Sequence, residues 1–103
     1  MKAIAYRSKK AKGKRLEKRV SQLIREKGLD DKARPMIGSG AFDNYKGDIY
    51  SPSINLTFEV KNQETVKLWE YWEQAKDQEQ AYKPACLIVS GNFRPILAVN
   101  VIV

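Results

Sequence analysis

Histidine is absent from this chain of 103 residues, and cysteine occurs only once. The missing histidine excludes serine and cysteine hydrolases with a histidine base, Cys2His2 zinc fingers and nucleases that depend on histidine. Any bound metal ion would therefore be held by oxygen ligands, which favours magnesium, manganese or calcium. The single thiol, Cys86 in the apolar stretch PACLIV, cannot form an internal disulfide and is predicted to be a buried core residue.

Long hydrophobic runs are also absent, since none approaches the roughly 18–20 residues that a membrane span needs. The basic N-terminus lacks the apolar region of a signal peptide, so we expect a cytoplasmic location. With 43% hydrophobic and 30% charged residues, the chain is expected to fold around one modest core.

Positive charge is concentrated at one end of the chain. Residues 1–19 hold nine Lys and Arg side chains against one acid, whereas the remaining 84 residues hold ten bases and eleven acids. Such a segment indicates a polyanionic partner, and nucleic acid before membrane, because no face of large apolar residues accompanies it. We therefore divide the chain into a basic N-terminal arm, residues 1–12, and a single domain, residues 13–103. A merely solubilising or disordered arm is the alternative.

Hydrophobic periodicity predicts the element order α-β-β-β-α-β-β. Leu16, Val20, Leu23 and Ile24 form a one-sided stripe that predicts a first helix over residues 10–27. A second helix is predicted at 66–82, and strands are predicted at 33–37, 48–51, 54–62, 85–91 and 96–103. The second and third strands flank a Ser-Pro-Ser turn and are expected to pair as a hairpin. The pattern predicts an α/β fold in which helices flank a mixed central β-sheet.

Two carboxylates and an amine are predicted to meet at one end of this sheet. In the stretch FEVKN, Glu59 and Lys61 lie two residues apart and share one face of a strand. The expected hairpin would bring Asp48 to the same end, and Glu17 borders the apolar stripe of the first helix. Close carboxylates repel unless a cation lies between them, and magnesium accepts such ligands. A lysine beside them can stabilise charge on a phosphate. A plain surface ion pair of Glu59 and Lys61 is the alternative.

Four short motifs in a fixed order resemble the PD-(D/E)xK nuclease superfamily: KGKRLEKRV, GSGAF, KGDIY and FEVKNQE, followed by a helix with Trp and Gln. More narrowly, the pattern is similar to the small Holliday junction resolvases of archaea and to related phage nucleases. The likeness runs over residues 13–101 and implies a restriction-endonuclease-like core. The proline that gives the superfamily motif its name is missing, since Gly47 precedes Asp48.

The resemblance implies a magnesium-dependent endodeoxyribonuclease, with manganese able to substitute, that hydrolyses phosphodiester bonds in four-way or other branched DNA. It also implies a homodimer, a role in DNA recombination, and a protein that is phage-encoded or acts in the interior of a prokaryotic or archaeal cell. The implied catalytic residues are Glu17, Asp48, Glu59, Lys61, Ser39 and Gln74. The implied metal ligands are Asp48, Glu59, Glu17 and the carbonyl of Val60. The basic residues expected to bind nucleic acid are Lys9, Lys10, Lys12, Lys14, Arg15 and Lys46. Two alternatives remain: a non-catalytic DNA-binding module on the same fold, and a repair or restriction-type nuclease.

Overall fold

The computed structural model describes residues 2–36 and 46–102, with side chains from residue 10 onward. Seven elements follow one another in the predicted order α-β-β-β-α-β-β, which confirms the α/β fold class. They are α1 (Lys2–Glu26), β1 (Arg34–Pro35), β2 (Ile49–Tyr50), β3 (Thr57–Asn62), α2 (Leu68–Asp77), β4 (Ala85–Ser90) and β5 (Leu97–Val99). Within the two described ranges, no helix has both the length and the apolar character that crossing a membrane demands.

The central sheet is mixed, as predicted, and it lies between the two helices. Its strand order is β3-β4-β5, with β3 parallel to β4 and β5 antiparallel to β4. Successive side chains of β4 point to opposite faces. Cys86 and Ile88 pack in the cluster that contains α1, whereas Leu87 and Val89 pack in the cluster that contains α2. Cys86 is thus the buried core thiol that its sequence context predicts, and burial raises its pKa to about 11.

The first helix buries three of the four residues of the predicted stripe, with Leu23 half-buried, and extends further towards the N-terminus than predicted. Leu16, Val20 and Ile24 are all buried. The helix begins at Lys2 rather than at residue 10, so most of the segment interpreted as a separate arm continues α1. Lysine, arginine and alanine dominate that segment, and all three have high helix propensity. The basic charge is therefore presented along a helix.

The predicted hairpin between the second and third strands is wrong. β2 pairs with β1 in a separate two-stranded sheet, and β3 pairs with β4. The cause lies in Asp48, whose side-chain Oδ2 accepts the N–H of Val60 at 2.8 Å. A strand carbonyl would otherwise accept that N–H group. The N–H of Asp48 donates to the carbonyl of Phe58 at 2.7 Å, so the two segments stay adjacent without forming a regular ladder.

The five strands and α2 are all shorter than predicted, and the difference is largest for α2 and β5. α2 ends at Asp77, and the chain then makes a turn in which Tyr82 has a φ of 64°, in the left-handed region that ends regular helix. β5 ends at Val99, although the apolar sequence continues to the C-terminus.

A buried acid fixes the connections around the small sheet. Asp30 accepts hydrogen bonds from the Ser51 hydroxyl at 2.7 Å and from the N–H groups of Ser53 and Lys32, each at 2.9 Å. Burial alone would raise the pKa of Asp30, but these hydrogen bonds hold it below its ordinary value. The carboxylate therefore joins the segment after α1 to the turn between β2 and β3.

Candidate active site

A cavity of about 470 Å³ opens beside β3 and contains most of the predicted acidic residues. α1 supplies one wall, the segment before β2 another, and the residue that ends α2 a third. The lining residues are Lys10, Lys14, Glu17, Met36, Gly47, Asp48, Glu59 and Gln78. The structure thus brings Glu17, Asp48 and Glu59 to one cavity, as predicted, although they lie far apart in the sequence.

Gly47 determines how Asp48 reaches β3. Its φ is 92°, a conformation that proline, with φ fixed near −65°, cannot adopt. A Cβ atom on Gly47 would lie 2.5 Å from the carbonyl oxygen of Phe58, so the close approach of the two segments also requires glycine. The departure from the superfamily's proline therefore has a local structural reason.

Asp48 and Glu59 form a hydrogen-bonded pair of carboxyl groups. Burial raises the pKa of both, and the charge of Asp48 and its hydrogen bond help to raise the pKa of Glu59 to about 7. The hydrogen bond lowers the pKa of Asp48 and raises that of Glu59, so Glu59 is the partner that keeps the proton. Two half-buried carboxyl groups this close together are arranged to receive a cation between them.

Lys61 lies on the same side of β3 as Glu59, which confirms the predicted strand geometry. Its Nζ is 3.9 Å from Glu59 Oε1 and 5.5 Å from the centre of the Tyr71 ring on α2. The ammonium charge lowers the pKa of both Asp48 and Glu59, but less than burial raises it. Lys61 is therefore held between the acid pair and an aromatic face.

Glu17 belongs to the same electrostatic group without joining the acid pair. Burial is the largest cause that raises its pKa to about 7, the charge of Asp48 adds to the rise, and Lys14 opposes it. Glu17 also contributes to the raised pKa of Glu59. Ser21, one turn further along α1, is buried and donates to the carbonyl of Glu17 at 2.8 Å, so Glu17 lies beside the buried face of the helix.

The two polar residues taken from the resemblance have different outcomes. Ser39 lies outside the described residues. Gln74 is exposed on α2 and does not line the cavity. The glutamine that does line it is Gln78, one turn later, which sequence analysis missed because the predicted helix continued past that position. The end of α2 at Asp77 turns Gln78 towards the acids.

The predicted DNA-binding residues divide into several groups. Lys10 and Lys14 line the acidic cavity. Lys12 lines a neighbouring cavity, and its Nζ already pairs with Glu64 Oε1 at 3.1 Å. Arg15 and Lys46 are exposed. The side chain of Lys9 lies outside the described side chains.

The donor set fits a magnesium ion held by two carboxylates. Magnesium is commonly bound by one or two carboxylates and keeps several waters, and the pair of Asp48 and Glu59 supplies that minimum. Among the residues that the structure describes, no group of three or more His, Cys, Asp or Glu side chains could hold a metal ion. Glu17 lines the same cavity, and its role as a further metal ligand stays a prediction. Val60 contacts the pair through its N–H group, which donates to Asp48.

A mixed sheet between two helices, with paired acids beside its first strand and a lysine two residues beyond the second acid, defines a nuclease of the PD-(D/E)xK superfamily. The family described as "Phage putative PDDEXK endonuclease" matches residues 8–100. The chain belongs to this family, which makes it a nuclease with DNA as its substrate. No curated protein and no solved structure is significantly similar to it. The predicted superfamily is confirmed, whereas the resemblance to Holliday junction resolvases stays a prediction.

Proposed function

We propose that this nuclease is a metal-dependent endodeoxyribonuclease that cuts branched DNA, in the manner of a Holliday junction resolvase. The observation that carries the proposal is the hydrogen-bonded pair of Asp48 and Glu59 in a cavity lined by Lys10 and Lys14. Acidic residues surrounded by lysines suit an enzyme that must hold both a cation and a phosphate. A protein that only adhered to DNA would gain nothing from buried carboxylates, which are costly to retain.

The acid pair would hold the divalent ion, and the neighbouring side chains would act on the phosphate and on protons. Bound there, magnesium supplies charge stabilisation for the scissile phosphate and an acidified water molecule. The ammonium of Lys61 is placed to stabilise negative charge on that phosphate. Glu17, with a pKa raised to about 7, can take up or release a proton near neutral pH.

The basic helix α1 would hold the DNA backbone next to the acid pair. Lys10 and Lys14 lie one turn apart and line the same cavity as the acids. Phosphate contacts fix the position of DNA on a protein without reading its sequence. A structure-selective nuclease needs this kind of contact, and we extend the proposal to a homodimer that cuts two strands of a junction.

The test of the catalytic assignment compares isosteric variants. Glu59→Gln keeps the size of the side chain but removes the charge, and we expect it to lower cleavage at least 100-fold. Lys61→Met should lower cleavage by a similar factor. Glu73→Gln changes an exposed acid on α2 and serves as the matched control. Cleavage by Glu59→Gln at the rate of the Glu73→Gln control would refute the mechanism.

The test of the substrate uses four-way junction, nicked, flapped and linear DNA, each with and without magnesium or manganese. Preferential cutting of the junction is expected, and equal rates on linear duplex would instead favour a repair or restriction-type nuclease. Calorimetry with each ion separates both from a non-catalytic module. A non-catalytic module would not bind the ion through Glu59, so Glu59→Gln would leave its calorimetric signal unchanged.

A further inference from the structure

An exposed apolar surface lies on the side of the molecule away from the acidic cavity, where α2 meets β5. Trp69 is 75% exposed, Leu97 is 54% exposed and Val101 is 63% exposed. Two neighbouring grooves run through this surface, one lined by Leu68, Trp69, Trp72, Val99, Asn100 and Val101, and the other by residues that include Val66 and Leu97. We call the exposed apolar residues of both grooves, together with Ile96 and Ile102, the α2–β5 surface.

The α2–β5 surface is large enough for contact with a second copy. Seven of its side chains are exposed and apolar: Val66, Leu68, Trp69, Ile96, Leu97, Val101 and Ile102. Together they expose of the order of 700 Å², which approaches the area that each partner buries in a standard interface. The area is therefore sufficient for a stable protein–protein contact.

The edge of the sheet is open at the same place. Among the strands that the structure describes, β5 pairs with β4 and with no other strand. Its ladder covers Leu97 to Val99, whereas the following residues up to Ile102 are exposed and are not part of any strand. Unpaired edge groups followed by an apolar tail are a template for another strand.

The sequence of this edge is nearly palindromic, which identifies the partner strand as a second copy. Residues 96–102 read ILAVNVI, with Val99 at the centre. Antiparallel pairing about Val99 would place Ile96 opposite Ile102, Leu97 opposite Val101, and Val99 opposite itself. In antiparallel pairs, directly opposed side chains stand on the same face and contact each other. Ala98 would lie opposite Asn100, and every other pair would be apolar on both sides.

We propose that two copies of this chain associate through the α2–β5 surface, with β5 and residues 100–102 pairing antiparallel about Val99 across a two-fold axis. A two-fold contact needs one self-complementary surface, and the apolar palindrome provides it. The pairing joins two three-stranded sheets into one of six strands and covers Trp69 and Leu97. It rests on the homodimer within the proposed function and leaves both acidic cavities at the outer edges.

Sedimentation of the full-length chain over a range of concentrations tests the surface with a matched pair of leucine variants. Leu97 in the surface and Leu29 after α1 are 54% and 58% exposed. We expect the unaltered chain and Leu29→Asp to dimerise alike, and Leu97→Asp to raise the dissociation constant at least 10-fold. Circular dichroism and thermal unfolding show whether each variant is folded. A chain that is monomeric throughout, or equal dissociation by both variants, would overturn the proposal.

Cysteine cross-linking tests the register. Val99→Cys would face its own copy within disulfide reach, whereas Ala98→Cys would be about 7–8 Å from its copy on the diagonal. Cys86 is buried and should not compete. With copper–phenanthroline as oxidant, we expect a covalent dimer from Val99→Cys and none from Ala98→Cys. No dimer from Val99→Cys would refute this register.

The dimer and the nuclease activity can fail separately. A monomeric chain that still cuts DNA would overturn the α2–β5 surface and leave the proposed function standing. A dimer that binds no divalent ion and cuts no DNA would overturn the proposed function and leave the α2–β5 surface standing.

Discussion

In the absence of divalent ions, this protein should become less stable as the pH rises from 5 to 8. Burial and the charge of Asp48 raise the pKa of Glu59 from 4.5 to about 7, and burial does the same for Glu17. A carboxyl group with a higher pKa in the folded state binds its proton more tightly there than in the unfolded chain. Its contribution to the free energy of unfolding is complete below pH 4.5 and is lost as the pH rises through 7.

The size of the effect follows from Glu59. A rise in pKa to about 7 corresponds to roughly 3 kcal/mol, and solvent screening of a partly exposed group reduces this to about 2 kcal/mol. For a domain of this length, 2 kcal/mol shifts the unfolding temperature by roughly 10 °C. The chain has no histidine, so the side chains expected to titrate between pH 5 and 8 are acids of this site, Glu59 and Glu17 among them.

Thermal unfolding in a chelator at pH 5, 6, 7 and 8 measures this slope. We expect the unfolding temperature to fall across the range. Glu59→Gln should lose part of the fall, because Glu17, whose pKa is also raised to about 7, keeps its own contribution. Saturating magnesium should reverse the trend, because the ion binds the deprotonated carboxylates. An unfolding temperature that stays level or rises with pH in the chelator would show that the acids are not buried together as described.

Further predictions concern glycines and lysines near the site. Gly47→Ala should destabilise the fold by at least 2 kcal/mol in urea unfolding, because its Cβ would lie 2.5 Å from the Phe58 carbonyl oxygen. Gly13→Ala, where a Cβ meets nothing within 4 Å, should instead stabilise α1 by up to about 1 kcal/mol; equal effects would contradict the geometry. Lys14→Met should reduce the salt dependence of DNA binding by about one counterion. Lys12→Met should reduce it less, because Lys12 pairs with Glu64, and a larger loss from Lys12→Met would refute that difference.

Local patterns predicted the parts of the fold that depend on local physics. The apolar stripe of α1 and the alternation along β3 each follow from a repeat within one element, and both are confirmed. The meeting of Asp48 and Glu59 was predicted correctly from a pairing that does not form. The contact that brings the two acids together could not be predicted from the sequence, because the Asp48 side chain accepts the Val60 N–H in place of a strand carbonyl.

The remaining errors concern the ends of elements and contacts distant in sequence. Gln78 enters the cavity because α2 ends at Asp77, and no local signal marks that boundary before Pro84. The final apolar run was predicted to be a strand reaching the C-terminus, whereas a single copy forms β5 only as far as Val99. The dimer proposed above would supply the missing neighbour for residues 100–102.

The hydrogen bond from Val60 N–H to Asp48 Oδ2 has a consequence for how loss-of-function variants are interpreted. One carboxylate oxygen of Asp48 joins the segment before β2 to β3, and Asp48 also lines the cavity. Removing the carboxylate would delete both a structural hydrogen bond and a proposed metal ligand. An inactive Asp48→Ala protein would therefore not distinguish loss of the ligand from displacement of the small sheet. Glu59 lines the cavity, and its side-chain contacts are with Asp48 and Lys61, so a substitution there is the better way to separate the two effects.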